Sequence, residues 1–343
     1  EPADDTVWAD FTYSIAAPKR GHYLRAGKDL AGVTQVVDIG IPEAVFDHFA
    51  IHENLITPEI VAELLPLRPA EGHKGTFGRL FLLVGSPGLT GAGSLAAQAA
   101  MRSGVGTATI GCPATLESIY ETSLTEVMSR GLPCVGHKGA LATRALGPAL
   151  AALNSMNAGV IGPGLGLHRE TMELVRRLVA RATVPFTLDA DALTACAKDV
   201  TSLEGPHHDC ALTPHAGEFQ RLTGETVAED FEERLGQVRA AAKRFGAVVV
   251  LKGATTLICD PEGEIFVNPL GNSGMATAGS GDVLSGMIGS FLAQGLSIRD
   301  AAIVGVYLHS LAGDIAAVEI GERSLIAGDL IEYLPRAFEL IEE

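Results

Sequence analysis

The run Asn272-Ser273-Gly274-Met275-Ala276-Thr277-Ala278-Gly279-Ser280-Gly281-Asp282-Val283-Leu284-Ser285-Gly286 contains four glycines and leads into residues that read as a long helix. Glycines let a backbone approach a ligand closely, and the free amides of a helix start face an anion. A phosphoryl group in transfer spreads negative charge over its oxygens, and each well-placed N–H donor stabilises that charge by about 3–4 kcal/mol. Gly279, Ser280 and Gly281 are the donors expected to form such an anion hole. Asp282, one step into the helix, is placed to accept a proton from a substrate hydroxyl as its oxygen attacks phosphorus, a contribution of about 10²–10⁴ in rate. Taken alone, G-S-G-D also admits a carboxylate that only complements the helix dipole.

Other segments carry polar groups where turns would present them. Lys252-Gly253-Ala254-Thr255-Thr256 follows the strand-like Val248 to Leu251, where a lysine and free amides suit a nucleotide phosphate or ribose. Thr213-Pro214-His215-Ala216-Gly217-Glu218 follows the apolar Cys210 to Leu212, with proline setting a turn that projects His215; a surface helix cap is the competing reading. Asp189-Ala190-Asp191-Ala192-Leu193 places two carboxylates at a strand-to-helix junction, at least one expected to cap the helix and the other to help place a hydrated magnesium ion. Gly162-Pro163-Gly164-Leu165-Gly166 and the Gly85 to Gly93 loop allow close approach of a flat or bulky ligand, or are tight turns without one.

These segments need a scaffold that brings strand ends together. Apolar runs (Leu80 to Val84, Thr107 to Ile110, Gly159 to Ile161, Thr187 to Leu188, Val248 to Leu251) alternate with helical patterns such as Gly93 to Ser103 and Arg169 to Ala182. That alternation predicts an α/β sandwich with a largely parallel sheet, in which ligands bind beyond the carboxyl ends of the strands. A strand pair is expected around the Pro261-Glu262-Gly263 turn, then three helical stretches from Gly281 onward. Neither G-x-x-x-x-G-K-[ST] nor G-x-G-x-x-G occurs in the context a P-loop or dinucleotide fold requires. Residues 54–72, with three prolines, read as a connector with one short helix, and a domain boundary is expected near Gly72.

Composition narrows the function classes. At 343 residues and 47% hydrophobic side chains, the chain can bury a sizeable core. With 41 acidic and 25 basic residues its formal charge is −16, which disfavours nucleic acid and anionic membrane surfaces as partners. The five cysteines form no C-x-x-C pair, so neither a disulfide framework nor a zinc site is suggested and a cytoplasmic setting is expected. The apolar stretch Ala301 to Val318 is interrupted by His309 and Asp314 and reads as a core helix or a subunit contact, not a membrane span. The chain opens without methionine and in mid-pattern, so an upstream segment is expected.

In this order the motifs resemble the carbohydrate-kinase-like family of NAD(P)H-hydrate dehydratases, from His73 to about Leu340. The resemblance rests on Lys74-Gly75-Thr76-Phe77-Gly78, the helix start at Gly91-Ala92-Gly93-Ser94, the G-P-G-L-G turn, Asp189 to Leu193, T-P-H-x-G-E and N-x-G-M-A-T-x-G-S-G-D. It implies a ribokinase-like three-layer α/β sandwich over residues 73–343 and the ADP-dependent repair of hydrated NADH or NADPH, the 6-hydroxyl being phosphorylated and phosphate then lost. Asp282 would be the base. Ala92, Gly164, Gly166, His215 and Asp282 would line the hydrate site, and Lys252, Gly253, Ala254, Thr255, Thr256 and Gly281 would bind the adenine nucleotide. Gly274 to Thr277 resembles the ADP-using branch, so ADP with Mg2+ is the expected phosphoryl donor and a homotetramer the expected assembly. Residues 1–53 are similar to the end of an NAD(P)H-hydrate epimerase domain, through Asp10 to Ile15, Ala17 to His22 and Asp38 to Pro42. An epimerase fused upstream is therefore the expected functional partner. Two other readings stay open: a small-alcohol kinase of the same fold, and a nucleotide-binding regulator without turnover.

Overall fold

A computed structural model of the chain describes residues 6–343 other than 25, 50, 137, 138 and 205–208, so the acidic opening residues 1–5 lie outside the described residues. Two strands, β1 (Phe11–Ile15) and β2 (Val33–Val37), pair in parallel as a small separate sheet. The main sheet has ten strands: β3 (Glu53–Leu55), β4 (Arg79–Leu83), β5 (Thr107–Pro113), β6 (Met128–Leu132), β7 (Ala158–Ile161), β8 (Phe186–Leu188), β9 (Cys210–Leu212), β10 (Val248–Leu251), β11 (Leu257–Cys259) and β12 (Ile265–Val267). Their spatial order is β3-β12-β11-β10-β9-β8-β7-β4-β5-β6. The two pairings of β11 are antiparallel, the one with β12 being the hairpin expected around Pro261-Glu262-Gly263, and every other neighbouring pair is parallel.

Alternate residues of a strand face opposite sides of the sheet, and a parallel sheet covered on both faces is apolar throughout. Strand β4 shows this directly. Leu80 and Leu82 join a core built with the helices Thr90–Arg102, Ser280–Ala293, Ile298–Ile320 and Ala327–Glu342. Phe81 and Leu83 join a second core with the helices Leu146–Asn154, Arg169–Val179, Asp191–Ala197, Ala216–Thr223 and Phe231–Phe245. The result is the expected three-layer sandwich.

Residues 54–72 depart in part from a simple connector. Strand β3 pairs with β12, and the helix Pro58–Leu64, capped by the Thr57 hydroxyl, packs on the helices Ile298–Ile320 and Ala327–Glu342. Ile56 and Val61 are buried in the first core, and Glu53 is gripped by Arg20 and Arg239. The edge strand and its helix are thus part of the sandwich, ahead of the boundary expected at Gly72. The helix Ile298–Ile320 is long and apolar enough to cross a membrane, yet its most apolar window is 72% buried within the protein. Residues 301–310 are core, whereas Val318 at its end is exposed.

Helix Ser280–Ala293 lies almost backbone to backbone on helix Thr90–Arg102. A Cβ at Gly286 would overlap the Ala96 carbonyl oxygen. Gly286→Ala is therefore expected to lower Tm through about 1–3 kcal/mol of overpacking, even though alanine is the better helix former by about 1 kcal/mol. Gly147→Ala, in the helix Leu146–Asn154 with nothing within 4 Å of the new Cβ, should not lower it. Thermal unfolding followed by circular dichroism compares the two, and equal shifts would remove the packing argument.

Candidate active site

The chemistry-bearing segments meet at the carboxyl ends of β4, β7, β8, β9 and β10. Beyond β10, Lys252 pairs with His215 in a parallel bridge, its N–H donating to the Pro214 carbonyl at 2.9 Å. This bridge lies three residues beyond the last β9–β10 partners, Leu212 and Val249, and keeps their register. Its ammonium donates to Asp189 Oδ1 at 2.7 Å, beyond β8, and lies 3.9 Å from Glu218 Oε2. Asp189 is 1% and Glu218 5% exposed. A carboxylate so buried needs a charged partner, and Lys252 supplies it. Burial by itself would lower the pKa of the ammonium, but Asp189, Glu218 and Asp282 outweigh it, so the lysine is held charged.

Neither aspartate of the Asp189 to Leu193 step caps the helix that follows. Ala190 occupies the N-cap with φ of 51° and makes no side-chain cap, leaving Asp189 to Lys252. Asp191 Oδ2 instead accepts the Gly166 N–H at 2.7 Å, tying the Gly162 to Gly166 turn to β8. That turn also meets the start of helix Thr90–Arg102, since a Cβ on Gly164 would lie 3.2 Å from the Ala92 Cβ. Ala92, Gly164 and Gly166 thereby belong to one wall.

His215 caps and projects at once. Its Nδ1 accepts from Gly217 N–H at 3.0 Å and Glu218 N–H at 3.4 Å, while Glu218 accepts the His215 N–H in return, a reciprocal capping box. The ring proton is thereby assigned to Nε2, on a side chain that is 56% exposed. The surface-cap reading and the site reading describe the same residue.

The anion-hole segment turns through Gly279, whose φ of 95° is open to glycine and strained for other residues. Ser280 N–H makes a long bond of 3.4 Å to the Thr277 carbonyl, so of the three expected donors it is partly engaged within its own turn. Gly281 faces the ion pair: a Cβ there would lie 3.2 Å from Lys252 Nζ and 3.7 Å from Asp189 Oδ2. Asp282 follows in the first helical turn. Burial pushes its carboxyl up to about 7, with Asp189 adding to the rise, Lys252 opposing it, and Asp191 and Glu218 contributing further. A carboxylate poised near neutrality is a competent general base. Gly253 and Ala254 are exposed beyond Lys252, Thr255 Oγ donates to the Tyr23 carbonyl at 3.4 Å and Thr256 Oγ to the Gly253 carbonyl at 3.3 Å. Lys252 itself is turned inward to Asp189, away from that exposed turn.

A family model for NAD(P)H-hydrate dehydratases matches residues 80–336. The chain belongs to the NAD(P)H-hydrate dehydratase family.

Among related sequences, the bifunctional NAD(P)H-hydrate repair enzyme of Moorella thermoacetica is 44% identical over 337 residues, 98% of this chain and 63% of that one. The chain thus spans less than two thirds of that relative's length. The ADP-dependent (S)-NAD(P)H-hydrate dehydratase of Neisseria meningitidis is 40% identical over 267 residues, covering 77% of this chain and 86% of its own. Of solved structures, the ADP/ATP-dependent NAD(P)H-hydrate dehydratase of Bacillus subtilis, co-crystallised with ATP/Mg2+, superposes with a TM-score of 0.74 at 34% identity over 84% of this chain and 99% of that one. A ribokinase-like superfamily protein of Enterococcus faecalis gives 0.71 at 26% identity over 85% and 98%. The fold is ribokinase-like.

Among the described residues no group of three or more His, Cys, Asp or Glu side chains could hold a metal ion. Asp189 and Asp191 are occupied by Lys252 and Gly166. An ion that keeps its waters and is carried on substrate phosphates needs no such group of ligands.

In the sequence Lys252, Asp189, Glu218 and Asp282 fall in separate motifs, and nothing in their spacing pairs them. Only strand register could have done so, because 63 residues separate Lys252 from Asp189. Lys252→Met should leave the Asp189 charge buried and unpaired, lowering stability by about 3–5 kcal/mol, while Lys252→Met with Asp189→Leu recovers most of that loss. Chemical denaturation of both variants checks this, and additive losses in the double variant would contradict the pairing.

Proposed function

We propose that this chain dehydrates the hydrates of NADH and NADPH at the expense of ADP, releasing AMP and phosphate. The observation that carries the reading is Asp282, a carboxyl raised to about 7 at the start of a helix, directly after Gly281, which passes close to the Lys252–Asp189 pair. Membership of the dehydratase family and the ADP dependence named for the Neisseria relative support it.

In this reading Asp282 removes the proton of the 6-hydroxyl as that oxygen attacks the β-phosphorus of ADP, and AMP leaves. The new phosphate on C6 then departs with its C–O bond, C5 loses a proton, and the C5–C6 double bond of the dihydropyridine returns. Ala92, Gly164, Gly166 and the Nε2–H of His215 hold the hydrate against the glycine wall. The exposed amides of Gly253 and Ala254, with Thr255, Thr256 and Gly281, receive the nucleotide, and the Gly279 and Gly281 amides face the phosphoryl group in transfer. A magnesium ion carried on the ADP phosphates would neutralise part of their charge.

The proposal extends to assembly and setting. The exposed Val318 and Ile320 at the end of the long core helix, with Ile326 before the next helix, support a subunit contact, and a homotetramer is the assembly proposed. All five cysteines are free, four of them buried, which agrees with a cytoplasmic protein. Residues 1–53 are read as the end of an epimerase domain: β1 and β2 leave Phe11, Tyr13, Ile15 and Val33 exposed, and a two-stranded parallel pair is too small to stand alone. The relative from Moorella, longer and named bifunctional, supports an epimerase as the partner.

Incubation of each hydrate with ADP and magnesium should restore dihydronicotinamide absorbance with one AMP per turnover; a stable phosphorylated alcohol as the released product would favour the kinase reading instead. Asp282→Asn should keep the fold and ADP affinity and lose about 10²–10⁴ in kcat, and a near-normal rate would refute the base assignment. Since the base must be ionised, kcat/KM should rise with pH up to about 7 and then level; a flat profile between acid and neutral pH would contradict it.

A further inference from the structure

His309 sits midway along the helix Ile298–Ile320, in the buried run of residues 301–310. It is 7% exposed. Its Nε2 lies 3.0 Å from the Ser280 carbonyl oxygen and 3.3 Å from Ser280 Oγ. Ser280 is the first residue of the helix that carries Gly281 and Asp282, and is itself 8% exposed. A carbonyl accepts and cannot donate, so Nε2 bears the proton. Burial pushes the imidazole down to about 4, which keeps the ring neutral and this tautomer in place around neutral pH.

The contact is placed where it matters for geometry. The first turn of a helix has amides without intrahelical partners, and its direction is set by what holds its carbonyls and its preceding turn. Here the preceding turn is held by Asp314 Oδ2 accepting from Gly271 N–H at 3.0 Å, Asp314 Oδ1 accepting from Asn272 at 2.8 Å, and Asn272 Oδ1 accepting from Gly274 N–H at 3.0 Å. His309 is one turn and a half before Asp314 on the same helix and holds the next part of the path. The two contacts fasten both ends of the glycine-rich segment to one rigid, buried helix.

We propose that His309 is a positioning residue for phosphoryl transfer, its Nε2–H fixing the Ser280 carbonyl and thereby the aim of the Gly281 amide and the Asp282 carboxylate. It touches neither substrate nor nucleotide. The role rests on the dehydratase reading for its kinetic consequence, but not for its structural one.

The test compares His309→Leu, which fills the space without a donor, with His309→Gln, whose amide N–H reaches the position of Nε2. With the wild-type fold retained by circular dichroism, His309→Leu should lose about 10²-fold in kcat, the scale of a small misplacement of reacting groups, with hydrate KM and ADP affinity within about threefold. His309→Gln should recover most of that loss. Amide chemical shifts of 15N-labelled protein without substrate should move at Ser280 and Gly281 in the leucine variant and return towards wild type in the glutamine variant. Equal kcat in wild type and His309→Leu, equal losses in both variants, or unmoved Ser280 and Gly281 amides would overturn the proposal. If wild type fails to turn over the hydrate while the amide shifts behave as expected, the dehydratase reading fails and the positioning contact stands. Should His309→Leu not fold, the glutamine variant against His309→Asn, which is one methylene too short to reach, provides the same comparison.

Discussion

Lys252 and Asp189 share one hydrogen bond of 2.7 Å at the carboxyl edge of the sheet, and most of the site is arranged around it. Each charge has left water and would be costly alone. The pair draws β8 and β10 into register across β9, places Glu218 beside it at the start of its helix, and has Gly281 passing so close that a Cβ there would lie 3.2 Å from the ammonium. Asp282 then enters a field already set by three other carboxylates and one lysine. Its raised pKa is a result of that company and of burial.

The second constraint is packing without side chains. Gly286 lets the helix Ser280–Ala293 approach the backbone of Thr90–Arg102, and the same approach brings Ala92 and the Gly164 turn towards the helix start. A well-packed interior resists displacement of its parts, so the base and the wall opposite it are held in a fixed relation by groups that do no chemistry. His309 and Asp314 continue this theme from the other side, binding the glycine segment to a buried helix.

Much of the sandwich was legible in sequence because its central strands are buried on both faces and therefore appear as unbroken apolar runs, as Leu80 to Val84 and Val248 to Leu251 do. Edge strands lack that signature. Met128–Leu132 contains serine, arginine and glycine, Glu53–Leu55 is mostly polar, and both become strands through pairing with a neighbour, β5 and β12 respectively. The glycine clusters marked the strand ends, so the segments of the site were identified, but their partners were not. Pairing of Lys252 with Asp189, and of Asp191 with Gly166, depends on register between distant strands. The expectation that one of Asp189 and Asp191 caps its helix failed because Ala190 takes a positive φ and directs both carboxylates elsewhere. His309 was visible only as a polar break in an apolar helix, the one hint that something lay opposite it.

In the proposed reaction the hydroxyl oxygen of the hydrate becomes an oxygen of the released phosphate. Hydrate labelled with 18O at the 6-hydroxyl, turned over with unlabelled ADP in ordinary water, separates this route from direct loss of water. The account predicts one 18O atom in each inorganic phosphate and none in AMP. Label released into water, with unlabelled phosphate, would contradict it.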